Sequence, residues 1–168
     1  MAFLLELIIL VKTRHGITII YMEIETSPEV SKRMSKQKRE ETRPEKEIAR
    51  ACFSLALRYR KNVKIREAKT VADLVFKKHK LIVFIDGCFW HGCPYHYKTP
   101  KTNSEWWDAK TERNRIRDKT KTKELRKLGW KVIRIWEHTN PKKAAEKIYQ
   151  IINLFRQILL GLLVYLLN

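Results

Sequence analysis

The chain has 168 residues, enough for one domain with a real hydrophobic core. Its 36 Lys and Arg against 18 Asp and Glu give a formal charge of +18, a field that draws polyanions, nucleic acid first and an acidic membrane surface second. An odd count of three cysteines, and an apolar start with no basic region before it or small-residue cleavage site after it, argue against a disulfide-built secreted protein and for an intracellular, reduced one.

Residues 1–30 stand apart, two apolar stretches split by Lys-Thr-Arg-His-Gly. They read as an extra helix or hairpin, or as sequence upstream of a later start at Met22. Residues 31–47 are basic, then mixed in sign, and form an arm that enters a helix near Thr42-Arg43-Pro44-Glu45. Thr as N-cap, an early Pro and an acid at the positive end of the helix dipole fit that start. Ile48, Ala51, Cys52 and Leu55 then recur at helical spacing, which makes Cys52 a core residue. Strand-like segments follow at 62–68, 70–76 and 80–86, with a basic turn between the last two. A charged helix is expected over about 104–128, stopped by Gly129, then a strand over 130–138 and a closing helix from about 141. Helix, antiparallel strands, helix, strand, helix is an α/β pattern. The last ten apolar residues, 158–167, fall short of the ~20 that a membrane span needs. They read as a packing or dimerising helix, with a tail anchor as the less favoured alternative.

The segment "VFIDGCFWHGCPYH", residues 83–96, holds most of the chemistry. Cys88, Cys93 and His96 offer the thiolates and imidazole that zinc prefers, with His91 between them. A fourth ligand must come from elsewhere, and His138 at a strand end is a suitable donor. The plain alternative is two buried thiols and surface histidines. Asp73 and Asp86 sit on consecutive strand segments; paired as a hairpin, both carboxylates reach one region of the sheet, where hard oxygen donors suit Mg²⁺. Glu45, at a helix N-terminus, is placed to join them. Otherwise these acids face solvent. Phe89 and Trp90 either cap a zinc core or wedge between bases.

"FIDGCFWHGCPYH", "PKTNSEWW", "RNRIRD" and "LGWKVIRIWEH", with "RMSKQKREETRPE" and "LRYR" upstream, together resemble the very short patch repair endonuclease (Vsr) family from about Ser31 to His138. The resemblance implies a restriction-endonuclease-like (PD-(D/E)XK type) α/β core, a mixed sheet flanked by helices, with a structural zinc site. The domain boundaries implied are an N-terminal extension at 1–30, the endonuclease domain at 31–150 and a hydrophobic C-terminal helix at 151–168. Family members nick one strand beside a T·G mismatch, the lesion left by deaminated 5-methylcytosine. By position, Asp73 matches the metal-binding aspartate, His91 the active-site histidine, and Glu45 the glutamate that couples the arm to the site. Asp118 matches a supporting acid, Phe89 and Trp90 the intercalating rings, and Met34 the apolar wedge of the arm. Cys88, Cys93, His96 and His138 match the zinc ligands.

Three departures stand out. Ala72 replaces the usual proline before the aspartate. Asp86 stands where some members carry a second histidine, so it is expected to share Mg²⁺ with Asp73 and shift the base role toward His91. Ile85-Asp86-Gly87 replaces the carboxylate-x-lysine of restriction nucleases. The implied cofactors are catalytic Mg²⁺ and structural Zn²⁺. The implied partners are duplex DNA with a T·G mismatch, mismatch-repair accessory proteins and a cognate cytosine methyltransferase, with no membrane, and the implied location is the cytoplasm at the nucleoid. Two rival readings are a nickase of the same fold without mismatch preference and a non-catalytic, zinc-stabilised DNA-binding module.

Overall fold

The computed structural model describes residues 3–13, 16–26, 29, 32, 35, 36 and 41–167, with side chains at 29, 32, 35, 36 and 41–154. Two compact units divide the chain: residues 1–39 with 88–119, and residues 40–87 with 120–168.

In the second unit the apolar spacing of the sequence becomes an α/β layer structure. Helix α1 (Arg43–Ser54) buries Ile48, Ala49 and Cys52 on one stripe. Strands β3 (Arg60–Ile65), β4 (Thr70–Phe76), β5 (Leu81–Asp86) and β6 (Lys131–Trp136) form one sheet in that order. The first three are antiparallel neighbours and β5–β6 is parallel, so the sheet is mixed. A short 3-10 turn at Lys77–His79, ending in Lys80 at φ 46°, closes the β4–β5 hairpin as the basic turn required.

Each face of the sheet carries its own core. Leu74, Phe76, Leu81, Val83 and Ile135 pack with α1 and with Ala144, Ala145, Ile148 and Ile152 of α3 (Pro141–Leu167). Ile65, Ala72, Val75, Ile82, Phe84 and Val132 pack on the other face with Leu125, from the end of α2 (Ser104–Lys127). That helix stops as the glycine requires. Gly129 takes φ 80°, its N–H donates to Arg126 O and the Trp130 N–H donates to Leu125 O, the bond pair of a left-handed helix cap.

Strand β4 breaks its alternation at one residue. Ala72 and Val75 belong to the same face although three apart, and the register runs Lys61↔Leu74 then Val63↔Ala72, omitting Asn62 and Asp73. Asn62 holds φ 49° opposite the break. Such a local irregularity re-aims a side chain, and here the residue at the break is Asp73.

In the first unit, β1 (Phe3–Thr13) and β2 (Gly16–Thr26) pair antiparallel from Phe3↔Thr26 to Thr13↔Gly16. Of the two conformations expected for residues 1–30, the hairpin is the one formed over the described residues, in keeping with their isoleucine-rich composition. The rest of the unit is the Cys/His segment and the first part of α2. Among the described residues no helix is long and apolar enough to cross a membrane.

Candidate active site and metal centre

The second unit gathers three acids. Asp73 accepts a hydrogen bond from the Ile85 amide at 2.7 Å, which ties the break in β4 to the neighbouring strand. Its carboxyl is pushed up to about 7, first by burial, with Glu45 and Asp86 adding to the rise while the Ile85 amide and Arg134 oppose it. Glu45 itself is set by the start of α1. Thr42 is the N-cap residue, but its hydroxyl donates to Glu45 Oε1 at 2.8 Å rather than accepting from a backbone N–H, so the cap orients the acid. Asp86 ends β5 buried, and Arg134 of β6 grips both its oxygens, Nε to Oδ2 at 2.6 Å and Nη2 to Oδ1 at 2.5 Å. Glu45 and Asp86 thus both act electrostatically on Asp73, the acid of the three that resists ionisation.

The first unit holds the Cys/His turn. The Cys93 N–H donates to Cys88 O at 2.9 Å and the Tyr97 N–H to Cys93 O at 2.9 Å, folding the segment back on itself. Gly92 is required inside it. Its φ is 63°, and a Cβ there would lie 2.5 Å from Arg115 Nη2 and 2.6 Å from Thr111 Cγ2. Arg115 donates to Gly92 O at 2.7 Å and Asn114 to Trp90 O at 2.8 Å, so α2 holds the turn from one side.

Cys88 Sγ and Cys93 Sγ lie 3.7 and 3.6 Å from His96 Nδ1. Zinc bonds of about 2.3 Å to sulfur and about 2.0 Å to nitrogen at a tetrahedral angle give an S···N edge of about 3.6 Å. The three donors therefore fit a tetrahedral zinc. His138, two residues past β6, belongs to the second unit, where its ring stacks on Trp136 at an interplanar angle of 13°. Cys52 is different: it is fully buried in the α1 core, and burial pushes its thiol up to about 12, so it is an inert core residue as expected.

His91 and Asp118 are also joined within the first unit, Nδ1 to Oδ2 at 2.5 Å, both partly buried. A carboxylate on Nδ1 fixes the tautomer and the ring orientation. Phe89 and Trp90 pack edge to face at 5.2 Å between centroids, and Trp107 of α2 joins them at 5.0 and 6.1 Å. Lys110 Nζ sits 4.3 Å from the Trp106 ring centroid and within 5.6 Å of those of Trp90 and Trp107.

The structure thus brings Glu45, Asp73 and Asp86 together in one unit, and Cys88, Cys93 and His96, the His91–Asp118 pair and the Phe89–Trp90 rings in the other. Met34 lies outside the described residues. Sequence reasoning missed Arg134 and Trp107. A charged residue inside the β6 pattern, with Val132 and Ile135 buried beside it, is the signal for the first; a doubled tryptophan, one ring buried as Trp106 and the next in the aromatic cluster, is the signal for the second.

Comparison with known proteins identifies the family. Residues 22–97 match the family described as DNA mismatch endonuclease Vsr. The Type II nicking enzyme V.NaeI of Lentzea aerocolonigenes is 41% identical over 121 residues, 70% of this chain and 73% of the relative. The Type II nicking enzyme V.NmeDIP of Neisseria meningitidis serogroup C is 42% identical over 130 residues, 74% of this chain and 86% of the relative. The DNA mismatch endonuclease Vsr of Escherichia coli K12 is 39% identical over 67 residues, 39% of this chain and 42% of the relative. The chain belongs to the DNA mismatch endonuclease Vsr family and is a DNA-nicking endonuclease.

Proposed function

We propose that the protein nicks one strand of duplex DNA beside a T·G mismatch, by Mg²⁺-assisted hydrolysis of a phosphodiester on a restriction-endonuclease-like core, and so opens very short patch repair. The observation that carries the reading is the acid cluster. Asp73 sits where β4 breaks its alternation, with Glu45 and Asp86 raising its affinity for a proton, the electrostatic mark of a site that takes a cation. Asp73 and Asp86 are the residues that would hold Mg²⁺, and the bound ion supplies Lewis-acid polarisation of the phosphate.

The other roles follow from each residue's surroundings. The Ile85 amide keeps the Asp73 carboxylate aimed, and Thr42 keeps Glu45 aimed beside it. His91, fixed at Nδ1 by Asp118, moves a proton at Nε2. Cys88, Cys93 and His96 would hold a structural zinc that secures the turn carrying His91 and the rings. Phe89 and Trp90, and Met34 from the arm, would enter the stack at a pair that opens more readily than a Watson–Crick pair.

A second reading has its own support. The relatives V.NaeI and V.NmeDIP are called Type II nicking enzymes, which fits a nickase that works beside a restriction–modification system without a mismatch requirement. Matched duplexes differing only in one T·G versus C·G pair separate the two. Selective nicking of the T·G duplex supports mismatch choice, and equal nicking of both moves the protein to the second reading.

A further inference from the structure

Arg134 is the cation that the acid cluster contains and that the linear motif lacks. In the parallel β5–β6 pair, Phe84 and Arg134 are Cα partners and Asp86 lies two residues further along β5, so all three side chains leave the same face of the sheet. The guanidinium carbon lies 4.8 Å from the Phe84 ring centroid, and the same group grips both Asp86 oxygens. A planar fork held by a ring on one side and a carboxylate on its edge has little freedom left. Its side chain keeps 24% of its exposure and that of Asp86 only 8%, so the pair is shielded enough for its charge to matter.

We propose that Arg134 is a positioning residue of the nicking reaction, holding Asp86 in one orientation and tempering the pull of the three carboxylates on a divalent cation. The inference rests on the place given to Asp86 in the proposed centre. Two effects follow from one contact. Fixing the Asp86 rotamer sets where an oxygen donor stands, which serves the rate. Placing a positive charge beside the cluster weakens cation binding, which keeps the site from retaining the ion too tightly. Ile85-Asp86-Gly87 stands in place of the carboxylate-x-lysine of restriction nucleases, and here the positive charge arrives from the adjacent parallel strand.

The test uses the full-length protein and Mg²⁺ alone as the probe, in wild type, Arg134→Gln, Arg134→Lys, Asp86→Asn and the Asp86→Asn/Arg134→Gln double variant. Mg²⁺ half-saturation is read from the thermal shift without DNA, and nicking is read separately at saturating Mg²⁺. Arg134→Gln is expected to bind Mg²⁺ about threefold or more tightly yet nick about tenfold or more slowly. Arg134→Lys should restore the wild-type Mg²⁺ affinity but not the rate, because an ammonium cannot hold both oxygens. In the Asp86→Asn background Arg134→Gln should cost no further rate. An unchanged Mg²⁺ affinity in Arg134→Gln, full rate in Arg134→Lys, or an undiminished effect in the Asp86→Asn background would each overturn the proposal. If Arg134→Gln fails to fold, the lysine and double variants still decide it. A wild type that binds Mg²⁺ but does not nick would strike the proposed reaction instead, and the affinity series would still judge Arg134.

Discussion

At Asp73, burial and two neighbouring carboxylates oppose ionisation while the Ile85 amide and Arg134 favour it, and the carboxyl comes to titrate at about 7. An unfolded aspartate releases its proton near 3.8, so between those values the folded chain binds a proton the unfolded chain has lost. Stability of the metal-free protein therefore falls as pH rises through that window, and the full cost is present above it. Asp73→Asn should raise the melting temperature in EDTA at about pH 8 and give no gain at about pH 4, while nicking is lost. Melts at the two pH values check this, and an equal shift at both would show that the carboxyl does not carry the cost. The acids were legible in the sequence because Glu45 stands at a helix start, Asp86 at a strand end, and Asp73 is a lone charge within an apolar strand. Arg134 was not, because alternation along a strand assigns a charge to the outer face and cannot reveal that it meets an acid 48 residues earlier.

At the scale of the element, the order of helices and strands was readable from residue 42 onward, since Ile48, Cys52, the β4 and β5 apolar runs and the Gly129 stop are strong local signals. The break in β4 was not, because it depends on Asn62 of another strand taking a left-handed conformation. Nor was the grip of α2 on the Cys/His turn, which joins Arg115 and Asn114 to residues 23 and 24 positions earlier. Gly92 is where that grip is tightest. Gly92→Ala would force a Cβ against Arg115 and Thr111 in a conformation alanine disfavours, a destabilisation of about 1–3 kcal/mol. The expected outcome is a lower melting temperature and, in protein loaded with the proposed zinc, faster loss of the ion to a chelator, followed by a zinc-sensitive dye. A variant as stable and as slow to release zinc as wild type would show that the turn is not held in this way.

For the whole molecule, the charge of +18 sets how it meets DNA. Exposed lysines and arginines along α2, among them Arg113, Arg117, Lys119 and Lys123, are the groups proposed to neutralise phosphates, whose counterions would be released on binding. With about four phosphates contacted, affinity for duplex DNA should fall about 100-fold between 50 and 200 mM salt. A binding titration over that range checks it, and a flat response would argue against backbone contacts as the source of affinity. The proposed mechanism needs both this electrostatic hold and the acid cluster. The measurement that tests the joint claim most directly is strand-specific nicking of a T·G duplex by wild type and Asp73→Ala, in Mg²⁺ and in EDTA. The account predicts one nicked strand with wild type in Mg²⁺, none in EDTA and none with the variant under either condition. Nicking by Asp73→Ala at the wild-type rate would contradict it.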